Sequence, residues 1–142
     1  MEAYGMAGHL IRRLHQISTQ VFMARAREAG FDVTQVQFAA MDAIRGNPGV
    51  DQASVAALIA YDRATIGGVI DRLVSKGYVS RSVSQRDRRA REVHLTDKGT
   101  DLFNALLPLV RGLQDEILGN LTPDERAAFV RLAHKSVADD PL

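Results

Sequence analysis

The chain has 142 residues, room for one modest hydrophobic core, and its 46% hydrophobic and 25% charged residues exclude wholesale disorder. No apolar run approaches the roughly 18–20 residues that span a bilayer, Met1 to Gly8 lacks the basic and apolar regions of a secretory signal, and cytoplasm is the expected compartment. Zero cysteines exclude disulfides, zinc–thiolate sites, cysteine nucleophiles and thiol switches, while the net charge of +1 leaves both acidic and basic partners open.

Leu10, Leu14, Ile17 and Val21 recur at helical spacing, predicting a first helix over 8–30 that ends at Gly30. Thr34 with Gln37 makes a capping-box start for a second helix, whose buried stripe is Phe38, Met41 and Ile44. Gly46-Asn47-Pro48-Gly49 ends it. Asp51 caps a short third helix carrying Val55, Leu58 and Ile59. Asp62 caps a fourth, running to Lys76 with Ile66, Val69, Ile70 and Leu73 inward and Gly77 as its left-handed end. A short helix, a turn and a longer helix form the helix-turn-helix pattern.

From Tyr78 the period becomes two. Val79 and Val83, then Val93 and Leu95, read as two half-buried strands around the polar tract Ser84 to Arg91. Without Asn-Gly or Asp-Gly at the tip, a longer loop than two residues is expected. Helix resumes after Thr96, rich in Leu102, Phe103, Leu106, Leu107, Leu109, Val110, Leu113 and Ile117, with Pro108 weakening its middle. Thr122-Pro123-Asp124-Glu125 starts a last helix carrying Phe129, Val130, Leu132, Ala133 and Val137. The fold class is therefore mainly α with a small β-hairpin wing: a winged helix-turn-helix of six helices. Its terminal helices, 8–30 and 100–138, carry more apolar surface than so small a domain buries, so they are expected to form a homodimer around the 34–98 lobe of a single domain, 1–142.

Charge is uneven along this order. Nine of the eighteen Lys/Arg residues fall between Asp62 and Lys98 against five acids, and after Lys98 acids outnumber bases seven to four. Arg81, Arg86, Arg88, Arg89 and Arg91 crowd one stretch whose only acid is Asp87. Such a segment is a solvated loop or the footprint of a polyanion.

The run Asp87-Arg88-Arg89-Ala90-Arg91-Glu92-Val93-His94-Leu95-Thr96 resembles the Asp-x-Arg-(x)5-Leu-Thr signature of the MarR family of transcription regulators. Asp62-Arg63-Ala64-Thr65-Ile66, Asp71-Arg72-Leu73 and Lys76-Gly77-Tyr78-Val79 are similar to that family's recognition helix entering its wing. The resemblance covers essentially the whole chain. Gly8-His9-Leu10-Ile11-Arg12-Arg13-Leu14-His15-Gln16 and Gly67-Gly68 resemble the regulators of aromatic-acid breakdown.

The resemblance implies a cytoplasmic, non-enzymatic repressor that binds a pseudo-palindromic double-stranded DNA operator as a homodimer. Tyr61, Asp62, Arg63, Thr65, Gly67 and Gly68 would face the major groove. Asp62 serves foremost as a helix cap, and the two glycines serve either close approach to DNA or tight helix packing. Arg89 would enter the minor groove, held by Asp87, with Arg86 and Arg88 on phosphates and Arg91 either on a phosphate or a plain surface residue. Asp71 and Arg72 would pair with the wing. A small aromatic carboxylate, or its coenzyme A thioester, is the implied effector. Its candidate pocket combines His9, Arg12, Arg13 and His15 with Phe38 and Met41, although the adjacent arginines cannot both enter one pocket from a regular helix. No cofactor, metal ligand or catalytic residue is expected. Alternatives are a metal-responsive regulator, or an interaction module that does not bind DNA.

Overall fold

The computed structural model describes residues 1–138; residues 139–142, part of the single-domain span above, lie outside the described residues. A 3-10 turn, Glu2–Gly5, precedes α1 (Ala7–Glu28), α2 (Gln35–Gly46), α3 (Gln52–Leu58) and α4 (Ile66–Ser75). The hairpin β1 (Val79–Val83) and β2 (Arg91–Leu95) follows, then α5 (Asp97–Ile117) and α6 (Pro123–Val137). This is the expected order of six helices with a wing between the fourth and fifth.

Local chemistry sets most boundaries. Thr34 Oγ1 accepts from the Gln37 N–H at 3.2 Å while Gln37 Oε1 accepts from the Thr34 N–H at 3.1 Å, the reciprocal box read from sequence. Thr122 and Glu125 repeat it at α6, with Pro123 first in the helix. Asp51 accepts from the Ser54 N–H at 2.7 Å. Gly30 and Gly77, at φ +83° and +80°, end α1 and α4 in the left-handed conformation that glycine adopts without a steric penalty. The fourth helix departs from expectation, starting at Ile66 rather than Asp62. Asp62 instead organises a preceding turn: its Oδ1 accepts from the Ala64 N–H, and its carbonyl accepts from the Thr65 and Ile66 N–H groups.

The chain forms two compact units, divided inside α5 at Pro108. The wing unit, Val33–Leu107, holds one contiguous core that includes Met41, Val55, Ile70, Leu73, Val93 and Phe103. The strands pair antiparallel, Val79 opposite Leu95 and Arg81 opposite Val93. Val93 also donates its N–H to the Val50 carbonyl, tying the hairpin base to the entry of α3. Within the two strands only Val79 and Val93 are buried. Val83, expected to be half-buried, is 50% exposed because the far end of the hairpin projects beyond the core.

The helical unit comprises Met1–Asp32 and the described residues from Pro108 onward. Arg25 of α1 donates to Glu116 of α5 at 2.8 Å and to Glu28 at 2.7 Å. Arg126 of α6 lies 3.5 Å from Asp115. No residue of α6 is buried. Leu10, Ile17, Phe129, Val130, Leu132 and Val137, the stripes read as apolar faces, stay open.

Candidate nucleic-acid interface

The segment entering α4 offers one buried and one bare face. Ile66, Val69, Ile70 and Leu73 go into the core, whereas Tyr61, Asp62, Arg63, Thr65 and Gly68 are exposed and Gly67 is half-buried. Ala60, at φ 53°, turns the chain out of α3, and the Tyr61 N–H closes that turn on the Ala56 carbonyl. Thr65 donates its hydroxyl to the Asp62 carbonyl at 3.2 Å, which leaves its methyl free. With glycines at 67 and 68, backbone and short side chains make up this surface.

The wing tip is organised by two local devices. Ser84, only 6% exposed, accepts at Oγ from the Arg86 and Asp87 N–H groups at 3.2 and 3.3 Å. Asp87 Oδ1 accepts from the Arg89 N–H at 3.0 Å and from its guanidinium Nε at 3.3 Å. The Arg89 side chain is nevertheless 92% exposed, so its direction is set while its remaining donors face water. Arg86 and Arg88 are exposed, as is Arg91, which donates to the Arg88 carbonyl at 3.3 Å.

These parts converge. Arg63, Asp87, Arg89 and Arg91 line one cleft of about 500 Å³ with Asp51, Gln52 and Ile66. Three guanidinium groups against two carboxylates make a polar concavity with a cationic surplus, suited to a phosphodiester chain. The wing is braced from behind: Arg81 Nη1 lies 2.7 Å from Asp71 Oδ1 on α4, and Gln52 of α3 accepts from the same nitrogen at 3.2 Å. Asp71 thus makes the wing pair read from sequence.

Gln52, Ser84 and Gly99 were not singled out from sequence. A serine leading a polar tract carries a weak turn signal, but the other two act through long-range contacts that no local pattern reveals. A Cβ on Gly99 would collide with the Tyr78 carbonyl oxygen, so this position admits only glycine where α5 leaves the wing. Thr96 reinforces that junction, donating to the Gly77 carbonyl at 2.6 Å and accepting from the Gly99 N–H at 3.0 Å.

The six residues read as an effector pocket divide between the units. His9, Arg12, Arg13 and His15 lie on α1 of the helical unit. Arg12, Arg13 and His15 are exposed, while half-buried His9 meets the Tyr4 ring edge-on at 5.2 Å and leaves Nε2 without a hydrogen-bond partner. Phe38 and Met41 lie on α2 of the wing unit. Met41 is 0% exposed, a core residue with no surface to offer a ligand. Phe38 is half-buried and stacks on Phe103 at 5.0 Å, whose ring also carries the Arg45 guanidinium at 4.5 Å. Among the described residues no three His, Asp or Glu side chains are grouped to hold a metal ion, and no helix is long and apolar enough to cross a membrane.

The MarR family model matches residues 31–90. The chain is 33% identical over 133 residues to the HTH-type transcriptional repressor NicR of Pseudomonas putida, covering 94% of this chain and 83% of NicR. Among solved structures, BpsR of Bordetella bronchiseptica, whose DNA binding is regulated by 6-hydroxynicotinic acid, is similar at TM-score 0.83 and 31% identity over 96% of both chains. A mutant MarR of Escherichia coli complexed with operator DNA is similar at TM-score 0.80 and 29% identity over 92% of both.

Proposed function

The chain belongs to the MarR family of transcription regulators, and from that premise we propose that it is a homodimeric repressor released from its operator by a small aromatic carboxylate. The observation that carries the DNA-binding part is the cleft where Arg63, Arg89 and Arg91 converge, with Arg89 exposed but aimed by Asp87. The turn from Tyr61 and the start of α4 enter the major groove, where each base pair presents a distinct donor and acceptor pattern. Arg89 enters the adjoining minor groove, whose negative potential attracts a guanidinium. Arg86, Arg88 and Arg91 neutralise phosphates, which makes affinity fall steeply with salt.

The open apolar faces of α1 and α6 support dimerisation through the helical segments 8–30 and 100–138, leaving 34–98 as the DNA-binding lobe. Two lobes related by a dyad require a pseudo-palindrome with half-sites about one helical turn apart. The effector class draws on BpsR and its 6-hydroxynicotinic acid. Within the helical unit Arg12, Arg13 and His15 supply exposed cationic and imidazole surface for such an acid, with half-buried His9 beside them. The test is fluorescence anisotropy on DNA from upstream of the chain's own gene, titrated with aromatic carboxylates and their coenzyme A thioesters. Salt-sensitive binding released by one compound, with release impaired by Arg12→Ala or Arg13→Ala, is the expected result. Binding that no compound disturbs would overturn the effector assignment and keep the regulator.

A further inference from the structure

Arg81 differs from the other arginines of the basic segment. Its side chain is 30% exposed against 92% for Arg89, and its guanidinium is committed to Asp71 and Gln52. A charge already met by a carboxylate at 2.7 Å is poorly placed to neutralise a phosphate. Arg81 therefore acts on its neighbours. The neighbour that matters is Gln52, the first residue of α3 behind the Asp51 cap, which lines the same cleft as Arg63 and Arg89.

Because Arg81 donates to Gln52 Oε1, the amide is oriented with Nε2 on its other side. That nitrogen lies 3.4 Å from where a Cβ on Gly67 would stand. Gly67 occupies the first turn of α4, and glycine is the least favoured residue of a helix interior apart from proline. Its bare backbone leaves open the space that a recognition side chain would fill, and the Gln52 amide borders that space from the side. The end of the amide that borders the gap is therefore Nε2, which carries two N–H donors. On the DNA-binding reading above, we propose that Gln52 is a specificity-determining residue that donates from Nε2 to a base-edge acceptor, guanine O6 or N7 or thymine O4, across the gap at Gly67. Arg81, held by Asp71, is the positioning residue that aims it. The helix placed in the groove thus borrows a reading group from the helix before it.

The test uses the full chain and a duplex that the wild-type protein enriches from a random pool, with a scrambled duplex of equal length beside it. Gln52→Ala is expected to bind the enriched duplex about tenfold more weakly, the worth of one lost hydrogen bond in a desolvated interface. Its affinity for the scrambled duplex and its salt dependence stay as in wild type, because no charge is lost. Arg81→Met gives the same selective loss, and adds nothing when combined with Gln52→Ala. Gly67→Ala raises the melting temperature through helix propensity yet weakens binding of the enriched duplex, again with no further effect in the Gln52→Ala background.

Equal weakening on both duplexes would make Gln52 a phosphate contact and overturn the proposal. So would a reduced salt dependence in Arg81→Met, additive losses, or Gly67→Ala binding as wild type does. A wild-type protein that enriches no duplex overturns the DNA-binding reading itself. Enrichment by wild type with an unaffected Gln52→Ala overturns this inference alone.

Discussion

The two units of this chain handle their apolar surface in opposite ways. In the wing unit Met41, Val55, Ile70, Leu73 and Phe103 are 0% exposed, and polar side chains such as Ser84, Asp87 and Arg81 are tied into turns and braces. In the helical unit Phe22 and Leu113 are buried, but Ile11, Val130 and Leu132 are 65%, 47% and 50% exposed, and no residue of α6 is buried. At about 25 cal/mol per Å² of apolar surface, leaving such residues in water forgoes a substantial part of the stabilisation available to a helix. A unit with a closed core can hold a rigid surface for recognition. A unit with open stripes is complete only against a partner, and we assign that partner to a second copy.

Substitutions should separate the two behaviours. The largest effect on stability belongs to the wing unit: Gly99→Ala forces a Cβ into the Tyr78 carbonyl and should cost about 4 kcal/mol or more, the range of severe overpacking and strain. Chemical denaturation would read this as a midpoint shift, and a wild-type midpoint would mean that the junction yields. Next, Leu132→Asp on the open face of α6 should convert the dimer to monomer in analytical ultracentrifugation while circular dichroism keeps its helical signal. A dimer of unchanged strength would place the interface elsewhere.

Smaller effects probe the helical unit's own ties. Thr122→Ala removes the cap of α6 and should cost about 1 kcal/mol, measurable as a Tm lowered by a few degrees. The least is electrostatic. Hydrogen bonding to Arg25 holds the Glu116 carboxyl below its ordinary pKa, and the Thr122 backbone N–H does the same for Glu125. A carboxyl whose folded pKa is depressed contributes stability above its unfolded value and loses it as pH falls through the folded value. Glu116→Gln should therefore melt below wild type at pH 7, and the gap should narrow progressively as pH falls below the unfolded carboxylate range. A gap that persisted in acid would show that the Arg25 pairing is not its source.

Legibility in the sequence followed the range of the interaction. Both capping boxes, Gly30 and Gly77 are local devices, and each stands where the residues put it. The order of helices and the long-tipped wing were equally plain, because hydrophobic period changes cleanly at Tyr78. The start of α4 was misplaced because an aspartate that accepts from an N–H two residues ahead looks the same in sequence whether a turn or a helix follows. Val83 was misjudged because alternation reports a strand's faces but not how far the core extends beneath it. Met41 has a ligand-like side chain, yet its position on the inner stripe of α2 makes it core. The brace joining Gln52 to Arg81 and the constraint on Gly99 link distant parts of the chain, beyond what spacing can encode.

The proposed role of Arg89, exposed and aimed by Asp87, is to complete DNA recognition on a self-contained lobe. It is tested most directly by Arg89→Ala, measured by anisotropy on the enriched duplex at physiological salt, with ultracentrifugation of the same sample. Specific affinity should fall about 100-fold or more, equivalent to roughly 2.7 kcal/mol, with the dimer unchanged. An Arg89→Ala protein that binds that duplex as tightly as wild type would contradict it.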